Sequence, residues 1–231
     1  KKLVIKRGDL KPDKSYVSEC LSIGIPNTTG RLIGSIGYFL EPIILSLVLL
    51  SVGYNNTFIT REYGILSGYV MPLILLPSFF TLAISQALLP VVSKEFARGK
   101  TKSVRKKIRM AIFFSLVIGV PATIFFVLKP EFFLRIVYHT NEGVNYMKFL
   151  APVCLLQYIQ APLATSLDAM GKSRDAMIGT TIGMVIRTSL LFVLSYLKIG
   201  LFGLIIAISI NVVAVTLYDL LRVRFHLKKA C

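Results

Sequence analysis

Apolar residues run along this chain in long blocks, with charge confined mostly to the gaps between them. A bilayer core about 30 Å thick takes about 20 apolar residues of helix. Six blocks reach that length, at 18–52, 63–92, 108–128, 144–170, 176–197 and 201–223. They are continuous, whereas barrel strands alternate over about ten residues. In lipid, helices or a closed barrel alone satisfy every backbone group. The pattern predicts an all-α polytopic membrane protein: six transmembrane helices in one bundle over 18–223, a basic leader over 1–17 and a basic tail over 224–231.

The first two blocks are longer than a straight crossing needs. About 30 residues of helix rise near 45 Å, so tilt or a kink must absorb the excess. Pro26, Gly30 and Pro42 are the hinge candidates in the first block, and Pro72 and Pro77 in the second. Between the third and fourth blocks, apolar and charged residues alternate over about two turns, which predicts a short interfacial helix near 131–138.

Composition agrees with the pattern. The 231 residues are 55% hydrophobic and 16% charged, with a mean hydropathy of +0.71. A soluble domain carries about a quarter charged residues. The net charge of +16 raises a nucleic-acid partner, but the basic residues form short clusters between apolar runs, with no basic domain or stacking surface. They mark topology instead. The leader, the segment from Lys94 to Arg109, the pair Lys172 and Arg174, and the tail from Arg222 to Lys229 are basic. The alternate loops hold only Arg61, then Lys129 and Arg135, then Lys198. This alternation predicts six crossings with both ends cytoplasmic.

Arg31, Glu41 and Arg187 lie well inside the blocks, away from their ends. Arg31 and Glu41 are ten residues apart, about 15 Å of rise and about 80° of rotation, so they are not an i,i+4 pair and each needs its own partner or water. A mid-bilayer charge costs at least about 2.5 kcal/mol. Asn27 and Thr28 make the same helix end polar, and Pro26 leaves a backbone carbonyl free. Arg31 either faces a wet cavity or snorkels to the surface; Glu41 faces the cavity or sits at the outer interface. Arg187 stands mid-span in GMVIRTSLLF, where snorkelling is hardest. Gln157, Gln160 and Gln86 either line the same cavity or bond between helices. Asp168 and Asp219 fall near cytoplasmic ends and are expected at the interface. A cavity with Arg31, Glu41, Arg187, Asn27, Thr28, Gln157 and Gln160 suits an anionic, hydroxyl-rich solute.

Enzyme signatures are lacking. His139 and His226 are the two histidines and sit at loop or terminal positions, away from any metal or relay cluster. The three cysteines include no CxxC pair. The run MGKS ends like a phosphate loop, but Ser166 stands where that motif needs glycine. No catalytic residue, cofactor or metal is assigned. Asn55-Asn56-Thr57 is a glycosylation sequon, relevant only in a secretory pathway that glycosylates.

Three segments, LSIGIPNTTGRLIGSIGYFLEPI, REYGILSGYVMPLILLPSFFTLAISQALLPVVSKEF and FLAPVCLLQYIQAPLATSLDAMGK, together resemble the stage V sporulation protein B group. That group lies in the polysaccharide-exporter branch of the multidrug, oligosaccharidyl-lipid and polysaccharide flippase superfamily. The likeness runs from about Leu21 to Leu221. It implies a two-bundle transporter of which this chain is the second, C-terminal half, a reading that fits the absent initiator Met. It also implies a lipid-linked oligosaccharide or peptidoglycan precursor as cargo, moved from the inner to the outer leaflet for cell-wall or spore-cortex synthesis. The expected partners are that cargo, membrane lipids, the N-terminal six-helix bundle and a coupling ion, and no nucleic acid. The related lipid II flippase holds pyrophosphate with cavity arginines, one of them in the helix that corresponds to the second block here. Here Val70 to Leu73 holds none, so Arg31 or Arg187 must serve. Alternatives kept open are a cation-coupled multidrug exporter using Glu41 and, more remote, a membrane-embedded transferase.

Overall fold

A computed structural model describes residues 14–197 and 199–229. Most of the predicted leader, with Lys1, Lys2, Lys6, Arg7 and Lys11, lies outside the described residues, as do Lys198 and the last two residues of the tail. The first helix, α1 (Lys14–Ser51), passes through Pro26 and Pro42 without a break. A turn at Gly53 leads to Asn55, whose side chain accepts from the Thr57 N–H at 3.2 Å and caps α2 (Asn56–Gly64). A π-helical segment, Ile65–Val70, follows, then α3 (Met71–Leu75) and α4 (Ser78–Ala97). Next come α5 (Thr101–Leu128), the short α6 (Pro130–Tyr138), α7 (Val144–Ala169), α8 (Ser173–Tyr196) and α9 (Phe202–Lys229).

Five of these helices are long and apolar enough to cross a bilayer alone. The sixth crossing is broken: the stretch 56–75 meets α4 at 50°, with Pro77 at the junction. Proline has no N–H to give, so the regular ladder fails there. The chain tightens instead, with Leu76 donating to the Leu73 carbonyl at 3.2 Å. The Ile74 carbonyl accepts from the hydroxyl of Tyr158 on α7 at 2.6 Å. Tyr158 is fully buried, so the irregular backbone is covered by protein, as lipid requires.

The helices outrun the apolar blocks. α5 begins at Thr101, and α9 continues to Lys229. The basic residues 102–109 and 224–229 therefore stand on helices that project past the apolar core, with stems long enough to reach polar surroundings.

The central helix is α7, which packs on α4, α5 and α9. α8 packs on both α1 and α9, whereas α1 leans chiefly on α8. One apolar core, including Leu49, Ile74, Met147 and Leu204, surrounds the broken crossing. A second, including Val92, Ile108, Leu167 and Val223, lies toward the basic end. Gly143, at φ +88, turns into α7 tight against the π-helical segment, where a Cβ would overlap Val70 and Ile65. On α8, Gly179 and Gly183 let α9 approach closely; a Cβ on Gly183 would overlap Val215 and Asn211. Small residues four apart are the usual means of close helix contact in lipid.

Gly183→Ala is expected to lose about 1–3 kcal/mol by overpacking, read as a lower thermal midpoint of the purified protein. Gly24→Ala, where a Cβ meets nothing within 4 Å, is expected to leave the midpoint unchanged or slightly raised.

Candidate functional site

A cleft of about 610 Å³ opens between α1, α4, α7 and α8. Its α1 wall is a stripe at helical spacing: Asn27, Gly30, Arg31, Gly34, Ser35 and Tyr38. Facing it are Leu82, Gln86 and Leu89 of α4, and Ala161, Ala164, Thr165 and Asp168 of α7. The first two turns of α8 close one side, from Ser173 to Thr180. The small residues of these walls make the space, and the few polar ones give it chemistry. Gly30 sits where α1 meets α8; a Cβ there would stand 3.4 Å from the Met177 Cα.

Arg31 is exposed to the cleft, and among the described residues it is the one basic side chain lining it. Its guanidinium acts on the Asp168 carboxylate across the cleft. Asp168 is half-buried. Asp219, which the sequence placed at the interface, is instead only 2% exposed on α9, beside the gap left by Gly179. The apolar periodicity of α9 turns position 219 inward, and this overrides its nearness to the helix end.

Glu41 and Arg187 stand together, away from the cleft lining. Their side chains form an ion pair joining α1 to α8, with the two residues 7% and 5% exposed. The Arg187 guanidinium also lies over the Tyr38 ring, 4.9 Å from its centroid, so Tyr38 separates the pair from the cleft. This answers the separate need of Glu41 for a partner: the opposite charge comes from α8, far along the sequence. Thr28 is exposed and lies off the cleft, and Gln157 and Gln160 are half-buried on α7 outside its lining. Pro26 is buried in the cleft wall. Tyr158 was missed by sequence reading, although a tyrosine deep in an apolar span signals a hydroxyl that must find an acceptor.

The family model MatE matches residues 66–193. The chain belongs to the MatE family. Stage V sporulation protein B of Bacillus subtilis (strain 168) is 33% identical to this MatE-family chain over 90% of the chain and 40% of that protein. Lipid II flippase MurJ of the same organism is 25% identical over 71% of the chain and 31% of that protein. In fold, the chain is similar to a solved structure described as MATE in the bent conformation, with TM-score 0.83 and 16% identity, covering 98% of the chain and 49% of that structure. The chain thus spans less than half the length of the curated relatives it matches, and its six crossings form one bundle of a two-bundle fold.

Removing one member of the buried pair leaves the other charge stranded. Arg187→Met is expected to destabilise by about 3–5 kcal/mol. Glu41→Gln combined with Arg187→Met is expected to recover much of that loss in a double-mutant cycle on thermal or denaturant unfolding. Losses that simply add would show that the two charges do not act on each other.

Proposed function

We propose that this bundle is the second half of a flippase that carries a lipid-linked oligosaccharide or peptidoglycan precursor from the inner to the outer leaflet, for cell-wall or spore-cortex synthesis. The observation that carries the reading is the lone arginine, among the described residues, in a small-residue, mostly apolar cleft between membrane-spanning helices. A guanidinium matches a phosphate or diphosphate with two parallel hydrogen bonds. Asn27, Ser35 and Gln86 on the cleft walls supply donors and acceptors for sugar hydroxyls. The names of the relatives, a sporulation protein and a lipid II flippase, support the same cargo class and describe no reaction, so the protein is read as a non-enzyme.

The packing suggests how the cleft works. α1 rests mainly on α8, while α4 rests on α7. Tilting the α1–α8 pair against the α4–α7 pair opens or closes the cleft, and the N-terminal bundle supplies its opposite face. Pro26 and Gly30 lie in the moving wall, and Pro42 lies one residue past Glu41. Pro77 lies in the junction that already bends, and Pro72 lies just before it. The lysines and arginines at one end orient that end to the cytoplasm. A second reading, a cation-coupled exporter of drugs, draws on Asp168, the carboxylate that lines the cleft.

The test is movement of a fluorescent lipid-linked precursor by the full-length protein in proteoliposomes. Arg31→Ala is expected to cut the rate about 10- to 100-fold at unchanged thermal stability, and Arg31→Lys to retain more. Transport of a cationic drug without precursor movement would favour the exporter. Precursor transport undiminished by Arg31→Ala would remove this residue from the head-group site.

A further inference from the structure

A second groove, of about 410 Å³, lies at the basic end between α5 and α9, both of which rest on α7. Four cations rim it: Arg105 and Arg109 on α5, Arg224 and Lys228 on α9. All four are exposed. Among the described residues none of them has a carboxylate partner, and no Asp or Glu lines the groove. Its floor is apolar. Ile108, Leu163 and Val223 are buried there, with Ile112 and Leu220 half-buried deeper along the same faces.

The order of these residues fixes the direction of the groove. On α5, which starts at the basic end, Arg105 and Arg109 come before Ile112. On α9, which finishes there, Leu220 comes before Arg224 and Lys228. Both walls therefore run from charge at the membrane surface to hydrocarbon within, over about 10 Å. Four like charges so placed repel one another, and no carboxylate among the described residues relieves them. A soluble anion would meet the rim but gain nothing from the floor. A molecule with an anionic head and an acyl chain satisfies both.

We infer that this groove is a binding site for an anionic phospholipid of the surrounding bilayer, the phosphate held by the four cations and one acyl chain laid along the floor. The site is separate from the cleft and rests on the membrane-spanning fold, independently of the proposed cargo. Basic pockets between transmembrane helices at a membrane surface have this affinity in general.

The experiment is native mass spectrometry of the full-length protein released from nanodiscs holding equal amounts of phosphatidylglycerol and phosphatidylcholine. Wild type is expected to retain phosphatidylglycerol well above its bulk share. Combined Arg105→Gln, Arg109→Gln, Arg224→Gln and Lys228→Gln should reduce that preference at least about tenfold. A control with equal charge change outside the groove, Lys100→Gln, Lys102→Gln, Lys106→Gln and Lys172→Gln, should keep it. Ile112→Trp fills the floor and leaves every charge in place. It should also reduce retention, which keeps the test valid if the fourfold variant fails to fold. An equal loss in the control, or full retention in Ile112→Trp, would overturn the site in favour of diffuse surface attraction. Displacement of phosphatidylglycerol by excess inorganic phosphate would assign the groove to a free anion.

Discussion

Inside a bilayer, a polar group has no water to turn to, and the architecture of this chain depends on meeting that constraint at one place above all. The crossing that carries Pro77 loses its regular ladder, and a carbonyl freed there must be satisfied by protein. Tyr158 does so by reaching the Ile74 carbonyl from α7. For its hydroxyl to arrive, α7 must lie directly against the break, and the ring needs room beside α5, where Gly119 leaves it. The central place of α7 follows: it covers the broken crossing with one face and carries α5 and α9 on others.

Once α7 is central, α1 has little to hold except α8. In lipid this attachment cannot rest on a hydrophobic drive, because acyl chains are as apolar as leucine. Two other contacts serve. Glycines on α1 bring it close to α8 around Met177, and the Glu41–Arg187 pair ties the helices nearer mid-span. The pair is costly to desolvate, so it is weak evidence for stability in itself. Its stronger effect is on register. A one-turn slip of α1 along α8 would pull the buried carboxylate away from its guanidinium, so the cleft wall made by Asn27, Arg31, Ser35 and Tyr38 keeps its position against α7.

Much of the fold was legible because hydropathy blocks report directly on which segments can sit in lipid as helices. The helix ends were less so: residues 102–107 and 224–229 look like loops on charge alone, yet helical backbone bonds hold them to the same helices. The site was legible only in some of its residues. Arg31 stood out as a charge in an apolar block, and its stripe of small and polar neighbours recurs at helical spacing. Arg187 also stood out, but depth alone could not say that it faces Glu41 rather than a cavity. That fact depends on which helix packs against α1, a long-range matter that periodicity within one helix does not encode. Asp219 shows the same gap: nearness to a span end suggested the interface, while the face it occupies buries it.

The basic residues divide by environment more than by number. Those at one end of the helices meet water and surface charge, and their sum accounts for most of the net positive charge. Arg187 is neutralised within the bundle and stacked on Tyr38, so a phosphate could reach it only by displacing both an ion pair and a ring. Arg31 meets neither obstacle: it is exposed to the cleft and opposed only across it by Asp168. An anion entering the cleft competes with a partly solvated carboxylate, a much smaller barrier than breaking a buried pair. Asp168 is thereby the counter-charge that Arg31 faces across the cleft, so Arg31 does not stand alone in the membrane.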